Sequence, residues 1–400
     1  MMQTLRRQIP TLLLLLTLLL SSNPLKAEGI QFFDGTWEEA VELAAKENKY
    51  IMVDAYTDWC GWCKVQDKET FTLDAVGELV NANFVPIKVD FEKGVGIDLG
   101  MKFRVSSYPT ILFFNPAGQL VHTRGGYSPD PQDFINDCNK ALSIKEDRIY
   151  AFDSRDLTTP FPDLYRNSFR GRENVVWPEE EEVVAFLDKQ EDLFDEVSWS
   201  VIWRFGGGEK YEHYLMANIG EYEKRYGSDE VRETARGRIQ TKVFKAAQEA
   251  DEEMMLNAVA LLDTYHLDDH SDLLKLLYKQ LYYERTEEWD NYAQVSEEIV
   301  TDENASANRI NSLCWNIYEK IEDQAILAKA TTWMKVGLEK EPDNWMYIDT
   351  YAALLYKTGN LVEAEKQARK AIQLGEEKGD DVSETKKLLE KITGKGVSGS

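Results

Sequence analysis

The passage Tyr50 to Lys64, YIMVDAYTDWCGWCK, constrains this 400-residue chain more than any other, because an apolar run leads straight into two cysteines spaced C-x-x-C. Seven residues of that kind suit a buried strand. Beyond Cys63, apolar side chains at Val65, Phe71, Leu73, Val76, Leu79 and Val80 follow a helical spacing and predict a helix from Cys63 to Val80. The cysteine pair thus falls where a strand gives way to a helix.

The flanking pattern extends this unit in both directions. Trp37 to Glu47 (WEEAVELAAKE) is one-sided in its apolar positions and predicts a helix, stopped by Asn48-Lys49. Phe84 to Asp90 (FVPIKVD) predicts a second strand and Gly96 to Phe103 a short helix, followed by a turn at Ser107-Tyr108-Pro109. Thr110 to Phe114 and Leu120 to Arg124 are two strands joined by Asn115-Pro116-Ala117-Gly118, and Pro131 to Ile144 closes the unit as a helix. The expected fold is α/β, a central mixed sheet with helices on both faces.

A C-x-x-C pair has three uses. Zinc needs about four ligands, and no second C-x-x-C or nearby H-x-x-x-H accompanies this one. A structural disulfide across so small a loop constrains the unfolded chain little. In the third use, redox exchange, the first sulfur sits at a helix N-terminus, where backbone N–H groups and the helix dipole favour its thiolate. On that reading Cys60 is the nucleophile and Cys63, one turn deeper, the resolving thiol.

Residues 30 to 145 resemble the thioredoxin family. The matching residues are Val53-Asp54, Trp59-Cys60-Gly61-Trp62-Cys63-Lys64, Val89-Asp90, Tyr108-Pro109-Thr110, Gly118 and Gly126. The resemblance implies a thioredoxin fold and thiol-disulfide exchange without metal or cofactor. It implies that Pro109 is the cis-proline facing the site, and that the backbone at Tyr108 pairs with substrate as an added strand. It also implies that Asp54 is the buried acid beneath Cys63 and exchanges its proton; the plain alternative is an aspartate bonded to backbone. Trp59, Gly61 and Trp62 complete the expected substrate-binding set. Thioredoxins usually carry a lysine near the buried acid where this chain has Pro86, and Lys88 on the same strand face is the available substitute.

Gly61-Trp62 between the cysteines differs from Gly-Pro of thioredoxin and Gly-His of protein disulfide isomerase. A histidine there would stabilise the thiolate and make the disulfide oxidising. Trp62 carries no charge, which favours a reductase or isomerase over a strong oxidase. Its ring is either an exposed apolar surface for protein partners or a packed side chain.

After residue 145 the pattern breaks. Residues 146–178, punctuated by Pro160, Pro162 and Pro178, are expected to be a linker packed on its neighbours, and thereafter strand signals nearly vanish. Glu179 to Glu182 after Pro178 predicts a helix start, with an acidic binding patch as the sharper alternative. An α-helical region spans 179–300. Within 301–392, two similar helix starts, Leu313 to Tyr318 and Thr350 to Tyr356, stand about a repeat apart. Lys357-Thr358-Gly359-Asn360, Ala364, Ala368 and Ala371, and Glu341-Pro342-Asp343-Asn344 resemble a tetratricopeptide repeat. The resemblance implies a surface for a protein or peptide partner, or else a scaffold with no ligand. Residues 393–400 are expected to be a disordered tail.

The other candidate groups have plain readings. Cys138 and Cys314 suit buried small hydrophobes better than a disulfide between domains. His266 and His270 (HLDDH) suit a solvated loop better than a metal site.

The start of the chain, Arg6-Arg7 followed by leucines from Leu12 to Leu20 and small or polar residues to Ala27, has the order of a secretory signal peptide. Its apolar core is about ten residues long where a membrane span needs roughly twenty, so a retained anchor is the weaker reading. Cleavage after Ala27 predicts a chain exported across the inner membrane to a bacterial periplasm, with no stable membrane span. The formal charge is -25, and without a basic cluster this excludes nucleic acid and anionic membranes as partners. Four cysteines are too few for a disulfide scaffold in a chain of this length. The functional expectation is an exported oxidoreductase acting on protein disulfides, re-reduced by a membrane thiol carrier. The competing class is an assembly protein whose helical part recruits the partner and whose thioredoxin-like part is a platform.

Overall fold

The computed structural model describes residues 29–144, 154–267 and 272–394. The expected signal peptide (1–27), His270 and residues 395–400 of the expected tail lie outside them. The chain divides into two compact units, with the boundary between Phe205 and Gly206.

The first unit is built on a four-stranded sheet in the order β2-β1-β3-β4. Strand β1 (Tyr50–Tyr56) runs parallel to β2 (Phe84–Asp90) and antiparallel to β3 (Thr110–Phe114), which pairs antiparallel with β4 (Leu120–Gly125). Side chains alternate between the two faces of a strand. Met52, Phe84, Ile111 and Phe113 therefore share one face, where they form a core with Val121, Val76, Val80, Phe134 and Cys138. Val76 and Val80 come from α3 (Asp74–Asn83), and Phe134 and Cys138 from α5 (Pro131–Ser143). On the other face Trp37 of α1 (Trp37–Glu47) and Phe103, just after α4 (Val95–Lys102), meet Phe114 edge-on.

Local signals set the helix ends. Thr36 and Glu39 form a capping box at α1, while Asp130 caps α5 with Pro131 in its first turn. The helix expected from Cys63 to Val80 is two helices instead, α2 (Gly61–Glu69) and α3. Thr72 bonds back to the carbonyl of Lys68, and Phe71 gives its carbonyl to the N–H of Ile30. Side-chain bonding to backbone competes with the helix ladder, and the N-terminal segment takes a carbonyl that a continuous helix would use.

The described part of 146–178, the stretch expected to be a linker packed on its neighbours, falls within the first unit. Trp37 donates its indole N–H to the carbonyl of Ser154, and Ser154 bonds to the carbonyl of Gly118 through both its N–H and its hydroxyl. Tyr165, fully buried in α6 (Asp163–Asn167), donates its hydroxyl to the carbonyl of Met101 in α4 at 2.8 Å. Glu179 to Glu182 start α7 (Glu180–Leu187), where Glu179 and Glu182 form the reciprocal cap. Helix α8 (Glu196–Phe205) ends the unit, and Glu196 pairs with the buried Lys102.

The described residues of the second unit are helical, from α9 (Gly208–Ala217) to α19 (Ser383–Thr393). Their shared core includes Ile239, Leu262, Tyr282, Leu313, Cys314, Trp333 and Leu354. Near the end, α17 (Trp345–Lys357) packs on α18 (Leu361–Lys378), and the small side chains Ala352, Ala353, Ala364 and Ala368 of the two helices are buried in the shared core. Gly359 makes the turn between them at φ 82°, a conformation that suits glycine. Cys138 and Cys314 are both unbonded and buried, each in the core of its own unit, so no disulfide joins them. Burial pushes the Cys138 thiol up to about 12 and the Cys314 thiol well above its ordinary value. No helix among the described residues is long and apolar enough to cross a membrane.

Candidate active site

The strand register brings four connections to one edge of the sheet. Tyr56 pairs with Asp90, Ala55 with Thr110, and Thr110 with Gly125. The segments after β1, after β2, before β3 and after β4 therefore meet at that edge. They carry Cys60, Glu92, Tyr108-Pro109 and Tyr127, so residues far apart in sequence are gathered by topology alone.

Cys60 and Cys63 are joined as a disulfide. Cys60 is the N-cap of α2, and its Sγ accepts the backbone N–H of Cys63 at 3.1 Å. That donor is one of the N–H groups a helix start leaves without an intrahelical partner, and it favours negative charge on Sγ. Beside the pair, the Cα of Gly61 faces open space. The Trp62 ring is 62% exposed and stacks on Tyr127 with centroids 5.6 Å apart. Tyr127 donates its hydroxyl to Glu69 at the far end of the same helix. Trp62 is thus both exposed and packed on one face, which joins the two sequence readings.

Under the helix lies a charged cluster. Asp54 is 1% exposed, and its Oδ2 accepts from Lys88 Nζ at 2.5 Å. Lys88 is Asp54's direct register partner on β2, so it takes the place that Pro86 leaves. Lys88 also pairs with Asp67 of α2, four residues after Cys63. Oδ1 of Asp54 is buried without a hydrogen-bond partner. Burial raises the Asp54 carboxyl to about 6, against the pull of Lys88 and with a smaller push from Asp67. Burial works against the charge of Lys88, but Asp54 and Asp67 together hold its ammonium above the ordinary value.

Trp59 and Tyr108 form the opposite wall, their rings edge-on at 5.9 Å. The peptide bond between Tyr108 and Pro109 is cis. Trp59 donates its indole N–H to Glu92 Oε2 at 3.0 Å, and the Arg172 guanidinium lies 5.2 Å from its ring centre. Burial, with Glu92 second, holds the Tyr108 hydroxyl above its ordinary value. Cys60, Cys63, Asp54, Trp59, Gly61, Trp62, Tyr108 and Pro109 all fall in or beside this region. Sequence reasoning missed Asp67, Glu92, Tyr127 and Arg172. The i, i+4 spacing from Cys63 could have pointed to Asp67; Arg172 gave no signal.

A mixed sheet in this order, with a disulfide at the start of the helix after β1 and a cis-proline entering β3, defines a thioredoxin-like domain. Residues 28–148 match the family described as "Thioredox_DsbH: Protein of unknown function, DUF255". Over 122 residues the chain is 34% identical to the thiol:disulfide interchange protein DsbD of Actinobacillus pleuropneumoniae, covering 30% of this chain and 20% of that protein. The DsbD of Yersinia pestis is 34% identical over 127 residues, covering 28% of this chain and 21% of that protein. A solution structure from Bacteroides thetaiotaomicron, described as a candidate disulphide-isomerase, is 35% identical. That match covers 30% of this chain and 98% of the other, with a TM-score of 0.28. The chain thus spans about a fifth of the length of the DsbD relatives it matches.

Proposed function

We propose that this protein is an exported thiol-disulfide oxidoreductase that reduces or isomerises protein disulfides. The observation that carries the reading is the Cys60–Cys63 disulfide at a helix start above a buried carboxyl, Asp54, one oxygen of which has no partner. In the reduced protein the Cys60 thiolate attacks a substrate disulfide, forming a mixed disulfide and releasing the first substrate sulfur as a thiolate. Cys63 gives its proton to Asp54 and attacks Cys60 Sγ. The second substrate sulfur leaves as a thiolate and the Cys60–Cys63 bond closes. Two electrons pass to the substrate, and a membrane dithiol returns them to the protein. The exchange as written needs no metal or cofactor.

The uncharged Trp62 beside the nucleophile supports a reducing or isomerising direction over strong oxidation. The name of the DsbD relatives, thiol:disulfide interchange protein, supports the same class of reaction. For the second unit, the α17–α18 pair with its buried alanines supports a repeat-type surface that recruits a protein partner.

The reaction is tested by insulin reduction with dithiothreitol as donor. The full chain is expected to accelerate it, and a Cys60→Ala, Cys63→Ala double variant is not. The direction is tested by the reduction potential of the pair. A value near about -270 mV is expected, and one near about -120 mV would reverse the assignment to an oxidase.

A further inference from the structure

The segment after α6 reaches the dithiol edge through a single carboxylate. Glu92 Oε2 accepts the indole N–H of Trp59 at 3.0 Å, and Oε1 accepts the backbone N–H of Arg172 at 2.9 Å. Gly171 approaches the Glu92 side chain at φ 79°, a backbone conformation that suits glycine, and so directs the chain back toward Trp59. The exposed Arg172 guanidinium is thereby placed over the ring of the residue directly preceding Cys60. Among the described residues no carboxylate forms an ion pair with it, whereas Asp58 and Asp90 on the same rim share Lys93 as their ion-pair partner. Glu92 is occupied by its two N–H donors.

We infer that Glu92 is a positioning residue and Arg172 a specificity-determining residue, together selecting polypeptide substrates with carboxylates beside the reacting cysteine. The inference rests on the oxidoreductase reading, since Arg172 matters only if a substrate sulfur docks at Cys60. A peptide lying along Tyr108 passes Trp59, and its residues next to the cysteine come within reach of the guanidinium. Arg172 offers such a carboxylate a forked set of donors on a flat aromatic support. Because this attraction exists before and during exchange, it acts on KM more than on kcat.

The test uses the reduced full-length protein at low salt. Its substrates are two symmetrical peptide disulfides that differ only in carrying Asp or Lys on both sides of the cysteine, with 2-hydroxyethyl disulfide as an uncharged control. The quantity read is the Asp-to-Lys ratio of kcat/KM in wild type divided by that in each variant, which removes the intrinsic reactivity of the peptides. Arg172→Glu is expected to lower the Asp-to-Lys ratio of the enzyme about five- to tenfold, through KM, when each rate is taken relative to that variant's own rate on the uncharged control. Arg172→Lys should retain much of the ratio. Glu92→Gln, which keeps an acceptor for Trp59, should hold the ratio nearer wild type than Glu92→Ala. An unchanged ratio in Arg172→Glu, with exchange intact, would overturn this inference alone. Failure of the wild type to reduce any of the three disulfides would overturn the oxidoreductase reading and this inference with it.

Discussion

Asp54 and Lys88 face each other across the two parallel strands, with Lys88 Nζ 2.5 Å from Asp54 Oδ2 and Asp54 Oδ1 buried without a partner. The carboxylate is therefore held on one side and open on the other. A held oxygen fixes the orientation of the group, while the open one is free to take a proton without first breaking a bond. Burial outweighs the lysine and brings the group to about 6, within range of physiological pH.

The first consequence is kinetic. Asp54 accepts a proton only when ionised, so resolution of the mixed disulfide by Cys63 should slow as pH falls through about 6. Asp54→Asn should remove that inflection and slow the step about 100-fold at pH 7, the lower end of the usual size of general-base effects. Single-turnover release of a peptide from a preformed Cys60 mixed disulfide, followed from pH 4.5 to 8, measures both.

The same group has a cost for the fold. Its folded pKa, about 6, lies above the ordinary 3.8, so ionising it destabilises the native state. The penalty is absent below about pH 4, grows between about 4 and 6 and is complete above that. Asp54→Asn should accordingly stabilise the first unit at pH 7.5 by about 1–3 kcal/mol and leave it nearly unchanged at pH 4. Urea midpoints at the two pH values give the comparison.

Lys88 opposes the effect of burial on Asp54. Lys88→Gln keeps a donor but removes the charge, which should raise the Asp54 carboxyl further and move the kinetic inflection above about 6. An inflection that stays in place would show that the ammonium does not set the acidity of Asp54.

Tyr165 tests whether residues beyond the thioredoxin-like core belong to the same cooperative unit. It is fully buried, bonded to Met101 and ringed by Phe161 and Phe169. Tyr165→Ala should destabilise the unit by about 3–5 kcal/mol, and Tyr165→Phe by about 1 kcal/mol. Thiol labelling in urea separates the units, since Cys138 reports on the first and Cys314 on the second.

Strand β1, the cysteine pair, Tyr108-Pro109 and the closing helix were legible because each has a local signature: an apolar run, a spacing, a proline, a capped amphipathic stretch. The substitution of Lys88 for the lysine expected at Pro86 was legible from strand periodicity. The break at Thr70 to Leu73 was not, because it depends on Ile30 bonding to the Phe71 carbonyl, a contact across about forty residues. Residues 154–178 looked like a linker because their contacts are single aromatic rings and backbone carbonyls with no period. Arg172 was invisible for the same reason, since its place over Trp59 follows from Gly171 and Glu92 and from no pattern of its own.

The central claim is that Cys60 attacks protein disulfides and Cys63 resolves them, and mixed-disulfide trapping with the full-length Cys63→Ala variant tests it most directly. With a disulfide-bonded model protein such as insulin, the variant is expected to accumulate a covalent adduct that dithiothreitol dissolves and mass spectrometry maps to Cys60. Absence of any adduct through Cys60, under conditions where the chain is folded and its thiol is titratable, would contradict the account.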